Sequence, residues 1–258
     1  DSIKGSLPNW KLLMPITKIG LKIIYSYADA CIAISPMVEK AVRNSGVKTR
    51  IVRIGNPVNT AFWRKSEEKR KTGRRMLGIG DHEFVVVGSG QIQPRKGIED
   101  FIDIALAIPG ARFVWAGGNY LGGVTEGILR INERLRNLPG NFVKPGHIPL
   151  DKMPLIYSAA DLMLFPSYQE NSPLAPIEAA ACGIPVIFRD LEEYKTLYEH
   201  PYLKAKNTKE FIELTRRMIT DQEFQQQGQK ISEQLILQFD REIIRDKLLD
   251  LYKSLLAN

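Results

Sequence analysis

Short runs of β-branched residues alternate with amphipathic segments between residues 84 and 190, and this alternation restricts the fold of the 258-residue chain more than any other feature. The runs have the length and composition of buried strands, and the segments between them carry apolar residues at helical spacing. Strands alternating with helices favour a parallel sheet covered on both faces, so we predict a doubly wound α/β fold. The predicted strands are FVVVGSG, ARFVWAGG, FVKPGHI, DLMLFPS and PVIFRD, and the predicted helices are IEDFIDIALA, EGILRINERLRN, LDKMPLIYSAA and LAPIEAAAC.

The regions on either side of this alternation have different patterns. After about residue 205, three stretches with few helix breakers predict C-terminal helices: TKEFIELTRRMIT, EFQQQGQKISEQLILQF and REIIRDKLLDLYKSLL. Before residue 82 we predict one strand-helix unit, DACIAIS with PMVEKAVRNSG, and one further strand, TRIVRIG, which is too little sheet to stand alone. Residues 61–81 are dense in charges of both signs, and we interpret them as a solvated helix or linker, with a patch that binds nucleic acid or a membrane as the alternative.

The charge and cysteine content narrow the class of protein. A formal net charge of +7 and a pI near 9.3 favour an anionic partner, which phosphates, anionic lipid headgroups and nucleic acid would all satisfy. Cys31 and Cys182 are far apart in sequence and have no metal-ligand spacing, so we expect free thiols in a reducing cytoplasm. No apolar run approaches the roughly 20 residues that cross a bilayer, and we expect a soluble protein.

The first candidate site is GSGQIQPRKG, residues 88–97, which joins the first strand of the main domain to its first helix. Open parallel sheets bind ligands at the carboxyl ends of strands, where glycines allow close backbone approach and a helix N-terminus favours anions. Arg95 and Lys96 stand where a diphosphate would lie, although a solvent-facing pair at a helix start is the alternative. The segment is not a P-loop, because Gly97 follows Lys96 where Ser or Thr is required.

Two glutamates form the second candidate site. Glu170 lies in the loop before the predicted helix LAPIEAAAC, and Glu178 lies within that helix. Small alanines let this helix pack closely on its neighbours, so the charged side chain of Glu178 needs a partner or faces a cleft. A carboxylate that accepts both hydroxyls of a ribose would meet this need, and an exposed surface glutamate is the alternative.

In this order and spacing, GSGQIQPRKG, KPGHIPLDKMPLIYSAADLMLFPSYQE and ENSPLAPIEAAACGIPVI resemble the donor-binding half of glycosyltransferase family 4, retaining enzymes of the GT-B fold. Three ordered motifs are more specific than one. The resemblance is closest over residues 82–200. It implies the tail of an N-terminal acceptor-side domain over residues 1–60, a charged linker over 61–81, a nucleotide-sugar-binding Rossmann-like domain over 82–240 and a C-terminal helix over 241–258.

The resemblance also implies roles for individual residues in binding a nucleotide-sugar donor. Lys96 binds the diphosphate, Glu170 contacts hydroxyls of the donor sugar, and Glu178 holds the ribose. Backbone groups around His147 and Ile148 read the edge of the base. The other implied donor contacts are Gly90, Gln91, Arg95, Asn171, Ser172 and Leu174, and the implied catalytic residues are Lys96, Arg95 and Glu170.

The chain departs from the family pattern at three points. Gln91 stands where the family usually has an arginine, and Arg95 is the candidate to supply the missing charge. Pro173 lies in a stretch whose amides usually face the phosphates, and proline has no N–H to donate. The family's catalytic-loop histidine and glycine-rich acceptor loop have no counterpart here, so we expect a fragment of a longer enzyme.

The reaction implied by the resemblance is sugar transfer with retention of the anomeric configuration and without a protein nucleophile. Lys96 and Arg95 would stabilise the charge that grows on the departing diphosphate. The sequence contains no Asp-x-Asp, which suits an enzyme that needs neither metal nor other cofactor. We expect a UDP-sugar as the donor, with a GDP-sugar as the alternative.

The acceptor is predicted only as a class: a glycan, a polysaccharide precursor or a lipid-linked molecule. Residues 9–27, NWKLLMPITKIGLKIIYSY, mix apolar residues with lysines as a membrane-surface helix would, which points to peripheral contact with an anionic membrane surface on the cytoplasmic side. Pro15 and Gly20 interrupt this segment, and two packed core helices are the simpler account.

Three other functions fit parts of the sequence. A nucleotide-sugar epimerase of GT-B type would share the sheet and the ribose carboxylate. A noncatalytic module would bind a nucleotide and transfer nothing. A nucleic-acid-binding protein would rest on the basic charge and would show salt-dependent binding to DNA or RNA, which we expect to be absent.

Overall fold

The computed structural model describes residues 19–118 and 128–257. In chain order the elements are α1 (residues 19–26), β1 (Ala30–Ala33), α2 (Pro36–Asn44), β2 (Arg50–Arg53), α3 (Thr60–Trp63), α4 (Glu67–Leu77), β3 (Val85–Ser89), α5 (Ile98–Ala107), β4 (Arg112–Ala116), α6 (Ile128–Arg136), β5 (Phe142–Gly146), α7 (Met153–Ala159), β6 (Leu162–Phe165), α8 (Ala175–Ala181), β7 (Val186–Arg189), α9 (Glu192–Leu197), β8 (Leu203–Ala205), α10 (Thr208–Thr220), α11 (Gln222–Leu237) and α12 (Arg241–Leu256).

The chain divides into two compact units. The smaller unit comprises the described residues up to Pro57 together with those from Arg241 onward. In it, β1 and β2 form a two-stranded parallel sheet joined by α2, and Ser35 caps α2 by accepting a hydrogen bond from the Val38 N–H. A small apolar cluster, formed by Ile54, Ile244 and Leu251, joins the α12 side chains to this unit. The larger unit is Val58–Asp240.

The larger unit is built on a six-stranded parallel sheet in the order β5-β4-β3-β6-β7-β8. From the central pair, β3 and β6, the strand order runs outward in opposite directions. The chain runs from β3 to α5 and from β6 to α8, and side chains of these two helices pack in different apolar clusters. Open α/β sheets bind their ligands in the crevice at such a point. The doubly wound fold predicted from the sequence is confirmed.

Both faces of this sheet are covered by helices. Every residue of β3, β6 and β7 is buried, which explains why these strands read as nearly continuous apolar runs. Side chains of α7 and α8 pack in one apolar cluster with the sheet, and side chains of α5 and α10 pack in the other. The core thus fixes the strand ends from which the functional loops leave.

The charged segment 61–81 is largely helical, as one of the two interpretations predicts, but it is not a linker between the two units. It forms α3 and α4, both inside the larger compact unit, which begins at Val58. The Arg74 side chain is 1% exposed and donates to Asp161 Oδ2 at 2.9 Å, and Arg70 donates to the other oxygen of the same carboxylate at 2.8 Å. The charges of this segment are therefore partly internal, because a carboxylate 87 residues away pairs with them.

Two short elements of the larger unit escaped the sequence analysis, namely β8 and α9. The three predicted C-terminal helices are present as α10, α11 and α12. The proposed membrane-surface segment, residues 9–27, lies outside the described residues up to position 18, and residues 19–26 are helical. No helix in the described part of the chain has the length and apolar character needed to cross a membrane.

The contact between α4 and α7 leads to a stability prediction. A Cβ at Gly73 would lie 2.0 Å from the Leu155 carbonyl oxygen, so Gly73→Ala should destabilise the fold by roughly 1–3 kcal/mol through overpacking. An open helical glycine would instead gain about 1 kcal/mol from the same change. Urea unfolding measures the difference, with Gly140→Ala as the control because a Cβ there meets nothing within 4 Å. A more stable Gly73→Ala variant would contradict the close packing.

Candidate active site

The loop that leaves β3 presents two adjacent cations. Pro94–Lys96 forms a single 3-10 turn, and Gly97, the residue just before α5, has a φ of +70°, which favours glycine. A Cβ at Gly97 would lie 2.3 Å from the Pro166 carbonyl oxygen. Glycine therefore allows the β3 loop to approach the loop that leaves β6, and it places Arg95 and Lys96 beside that loop.

Glu170, on the loop that leaves β6, forms an ion pair with Lys96 across the crevice. The side chains of Lys96 and Glu170 are 15% and 10% exposed, so water screens this pair weakly. The Ser167 hydroxyl donates to Glu170 Oε1 at 2.7 Å, and Arg95 Nη1 lies 3.7 Å from the same oxygen. This group contains two cations, Arg95 and Lys96, and one carboxylate, Glu170. Its net charge is therefore +1, which suits an anionic ligand.

The backbones of the two loops are also bound to each other. The Tyr168 N–H donates to the Arg95 carbonyl oxygen at 2.7 Å, and Arg95 Nη1 donates to the Gln169 carbonyl oxygen at 3.3 Å. The positions of Arg95, Lys96 and Glu170 are thus set by main-chain contacts as well as by charge. The structure brings together the three residues that the sequence analysis assigned to catalysis.

Glu178 lies in α8, on the helix that follows the β6 loop. Its carboxylate is half-buried, and among the described residues no cation pairs with it. Burial raises the pKa of Glu178 to about 7 from an ordinary value of 4.5. As the sequence analysis expects, Glu178 is a partly buried acidic residue on an alanine-rich helix and needs a partner. Its carboxylate is available to accept hydrogen bonds.

His147 and Ile148 follow β5, and a series of backbone contacts connects their loop to the β3 loop. The Gly117 N–H donates to the Gly146 carbonyl oxygen at 2.9 Å, and the Gly90 N–H donates to the Ala116 carbonyl oxygen at 3.0 Å. A Cβ at Gly117 would lie 1.8 Å from the Gly90 carbonyl oxygen, so a side chain is excluded at that point. The loops after β3, β4 and β5 therefore share one edge of the sheet.

The remaining candidate residues lie on the two central loops. Gln91 is exposed, and its side-chain oxygen accepts a hydrogen bond from Gln93. Asn171 is exposed, Ser172 is half-buried, and Leu174 is 41% exposed, with its carbonyl oxygen accepting from the Glu178 N–H. The contacts of these four residues to a ligand stay predictions.

Sequence reasoning missed two residues that support the ion pair. Ser167 donates to the Glu170 carboxylate, and the Phe165 ring lies under Lys96, with its centroid 5.7 Å from Nζ. Both occur in DLMLFPS, the segment predicted as a strand. The signal available in the sequence was that Ser167 lies two residues past a buried apolar run, where the carboxyl edge of the sheet is expected.

The fold and this site define a doubly wound α/β domain with an excess positive charge at the point where the strand order reverses. Residues 69–234 match the family model described as "Glycosyl transferases group 1". The chain belongs to this family, so the resemblance drawn from the three sequence motifs is confirmed.

Two curated relatives extend over most of the chain. Alpha-galactosylglucosyldiacylglycerol synthase of Streptococcus pneumoniae is 35% identical over 214 residues, which are 82% of this chain and 57% of that protein. Processive diacylglycerol alpha-glucosyltransferase of Acholeplasma laidlawii is 28% identical over 222 residues, which are 85% of this chain and 66% of that protein. The chain thus spans about three fifths of the length of these relatives.

Solved structures support the fold. Sucrose-phosphate synthase of Thermosynechococcus elongatus aligns with a TM-score of 0.77 at 24% identity, over 94% of this chain and 62% of that one. Anabaena HepE in complex with UDP-glucose aligns with a TM-score of 0.78 at 20% identity, over 92% and 68% of the two chains. At these identities the similarity is one of architecture.

The raised pKa of Glu178 leads to a pH prediction. Between about pH 4.5 and 7 the folded chain keeps a proton that the unfolded chain has released, so this group's contribution to the free energy of unfolding falls as pH rises through that window. Glu178→Gln removes the titration. The unfolding free energy of the wild type minus that of the variant should therefore fall as pH rises and level off above the folded pKa. Urea unfolding at several pH values tests this, and a pH-independent difference would contradict the buried carboxylate.

Proposed function

We propose that this chain carries the donor site of a glycosyltransferase that moves a sugar from a UDP-sugar to a glycan or lipid-linked acceptor with retention of configuration. The observation that carries the proposal is the group of Arg95, Lys96 and Glu170 at the carboxyl ends of β3 and β6. It lies where doubly wound sheets bind nucleotides, and its excess positive charge matches a diphosphate.

Lys96 and Arg95 are the proposed diphosphate ligands. The Lys96 ammonium has three N–H donors, and Glu170 accepts from it in this structure, so phosphate oxygens can take the others. The Arg95 side chain is 45% exposed and can turn its planar guanidinium toward two phosphate oxygens. The nearby Glu170 carboxylate accepts hydrogen bonds from sugar hydroxyls, and Ser167 holds it in place.

Glu178 is the proposed ribose ligand. A buried carboxylate without a cation partner lacks the solvation that its charged form requires, which is why its pKa is raised. Two ribose hydroxyls would donate to it and restore that solvation, each with about 1.5–3 kcal/mol for a bond to a charged group. Nucleotide binding should consequently favour the ionised carboxylate.

The proposed transfer needs no protein nucleophile. The bond between the anomeric carbon and the diphosphate breaks, its electron pair goes to the diphosphate oxygen, and the acceptor oxygen forms the new bond on the same face of the sugar. The acceptor's proton goes to the departing diphosphate. Lys96 and Arg95 accelerate this step by stabilising the charge on the leaving group, since they lie close to it before the reaction begins.

The names of the two curated relatives support a lipid acceptor, because both refer to diacylglycerol. The HepE complex with UDP-glucose, a protein of the same architecture, supports UDP as the nucleotide. We therefore favour a diacylglycerol-based acceptor and a UDP-hexose donor. No group of three His, Cys, Asp or Glu within residues 19–118 and 128–257 could hold a metal ion, and metal-independent transfer stays a proposal.

Calorimetric titration with UDP tests the donor site. Lys96→Ala should raise the dissociation constant roughly tenfold to a hundredfold, because it removes charge-assisted hydrogen bonds to the diphosphate. Glu178→Ala should weaken binding by a similar factor. Lys204→Ala is the matched control, since Lys204 also pairs with a carboxylate, Asp190 at 3.0 Å, and should leave the UDP dissociation constant unchanged. If all three variants bind UDP with the dissociation constant of the wild type, the assignment of Lys96 and Glu178 to the donor site is wrong.

A transfer assay separates the enzyme from the noncatalytic module. With UDP-glucose and diacylglycerol vesicles, release of UDP together with a glycosylated lipid supports transfer. UDP binding without product from the complete natural protein would favour the module instead.

A further inference from the structure

Arg189, the last residue of β7, is a buried arginine outside the site described above. It is 5% exposed, and its guanidinium reaches three parts of the larger unit. Nε donates to the Pro166 carbonyl oxygen at 2.8 Å, Nη2 donates to Asp100 Oδ2 at 3.0 Å, and Nη1 lies 3.4 Å from the Lys206 carbonyl oxygen. The cost of burying this charge is offset by Asp100 and by the two carbonyl groups.

Asp100, the partner of Arg189, lies in the first turn of α5 and is itself held. The Thr208 hydroxyl donates to Asp100 Oδ1 at 2.5 Å, so both carboxylate oxygens are engaged. The Tyr168 ring covers the guanidinium of Arg189, with the ring centroid 3.8 Å from Cζ. Burial, aided by the neighbouring Asp100 carboxylate, raises the pKa of Tyr168. The β6 loop is therefore anchored to α5 through the buried pair of Arg189 and Asp100, while the Tyr168 ring that covers Arg189 is 52% exposed.

The anchored atoms lie next to both members of the ion pair. Pro166 directly precedes Ser167, which donates to Glu170, and Gly97 directly follows Lys96. Gly97 also abuts the Pro166 carbonyl oxygen, the atom that Arg189 binds. A displacement of Pro166 would therefore move the Lys96 loop and the Glu170 loop relative to each other.

We propose that Arg189 and Asp100 are positioning residues that set the distance between Lys96 and Glu170 and so prepare the crevice for a sugar diphosphate. This inference rests on the proposed donor site for its functional consequence, whereas the positioning itself depends only on contacts within the free protein. Lysine cannot replace Arg189, because an ammonium lacks the planar fork that binds Pro166 and Asp100 at once.

The chain contains a matched control for this network. Arg74 is also buried and also pairs with a carboxylate, Asp161, but Asp161 immediately precedes β6 and lies at the opposite, amino end of that strand. The Val85 N–H donates to Asp161 at 2.9 Å and reports on this control network. The Tyr168 N–H, which donates to Arg95, reports on the proposed one.

Amide hydrogen exchange on the free 258-residue chain tests the positioning. After correction for global stability, Arg189→Lys should speed exchange of the Tyr168 amide on the order of tenfold and leave that of Val85 unchanged, since local opening adds to global unfolding. Arg74→Lys should speed exchange of the Val85 amide and leave that of Tyr168 unchanged. Thr208→Val removes one hydrogen bond to Asp100 and should speed exchange of the Tyr168 amide by a smaller factor. It replaces Arg189→Lys in the experiment if that variant does not fold. An unchanged Tyr168 amide in both Arg189→Lys and Thr208→Val would overturn the inference.

Nucleotide binding supplies the second arm. Arg189→Lys should weaken UDP-glucose on the order of tenfold while changing UMP little, because UMP lacks the sugar and second phosphate held by the two loops. Arg74→Lys should alter neither affinity. Equal weakening of UMP and UDP-glucose by Arg189→Lys would contradict the inference. A third outcome separates the two proposals. If Arg189→Lys speeds exchange of the Tyr168 amide but the wild-type chain binds neither nucleotide, the positioning is supported and the proposed donor function is refuted.

Discussion

The ion pair between Lys96 and Glu170 is the interaction on which the account of this protein depends. It joins the loops that leave β3 and β6, the two strands between which the sheet order reverses. Because both side chains are largely buried, the pair is weakly screened and its geometry is set by the surrounding loops. The excess positive charge contributed by Arg95 makes the same place an anion site.

The rest of the larger unit fixes the positions of these two loops. Buried strands fix where the loops begin, and Gly97 allows them to touch at the Pro166 carbonyl oxygen. Two buried arginine–aspartate pairs lie at opposite ends of β6, Arg74 with Asp161 and Arg189 with Asp100. The first ties α4 to the sheet, and the second ties α5 to the β6 loop. Removing one partner of such a pair leaves an uncompensated charge, so both networks are strongly constrained.

Sequence reasoning reached the fold and the grouping of Arg95, Lys96 and Glu170 because the signals for both are local. Lys96 and Glu170 each follow a buried apolar run, and parallel strands bring their carboxyl ends to one edge. The burial of Arg74 could not be predicted from the sequence, because its carboxylate partner lies 87 residues away and local charge patterns do not reveal it. Arg189 likewise appears in the sequence only as the end of a strand. Its contact with the Pro166 carbonyl oxygen exists only once β6 and β7 are side by side.

A crystal structure of this chain with UDP would show whether Lys96 and Glu178 bind the nucleotide. We expect diphosphate oxygens at about 2.7–3.2 Å from Lys96 Nζ and ribose hydroxyls at hydrogen-bond distance from the Glu178 carboxylate. UDP bound elsewhere, with the Lys96 and Glu170 pair unchanged and Glu178 untouched, would contradict the proposed donor site.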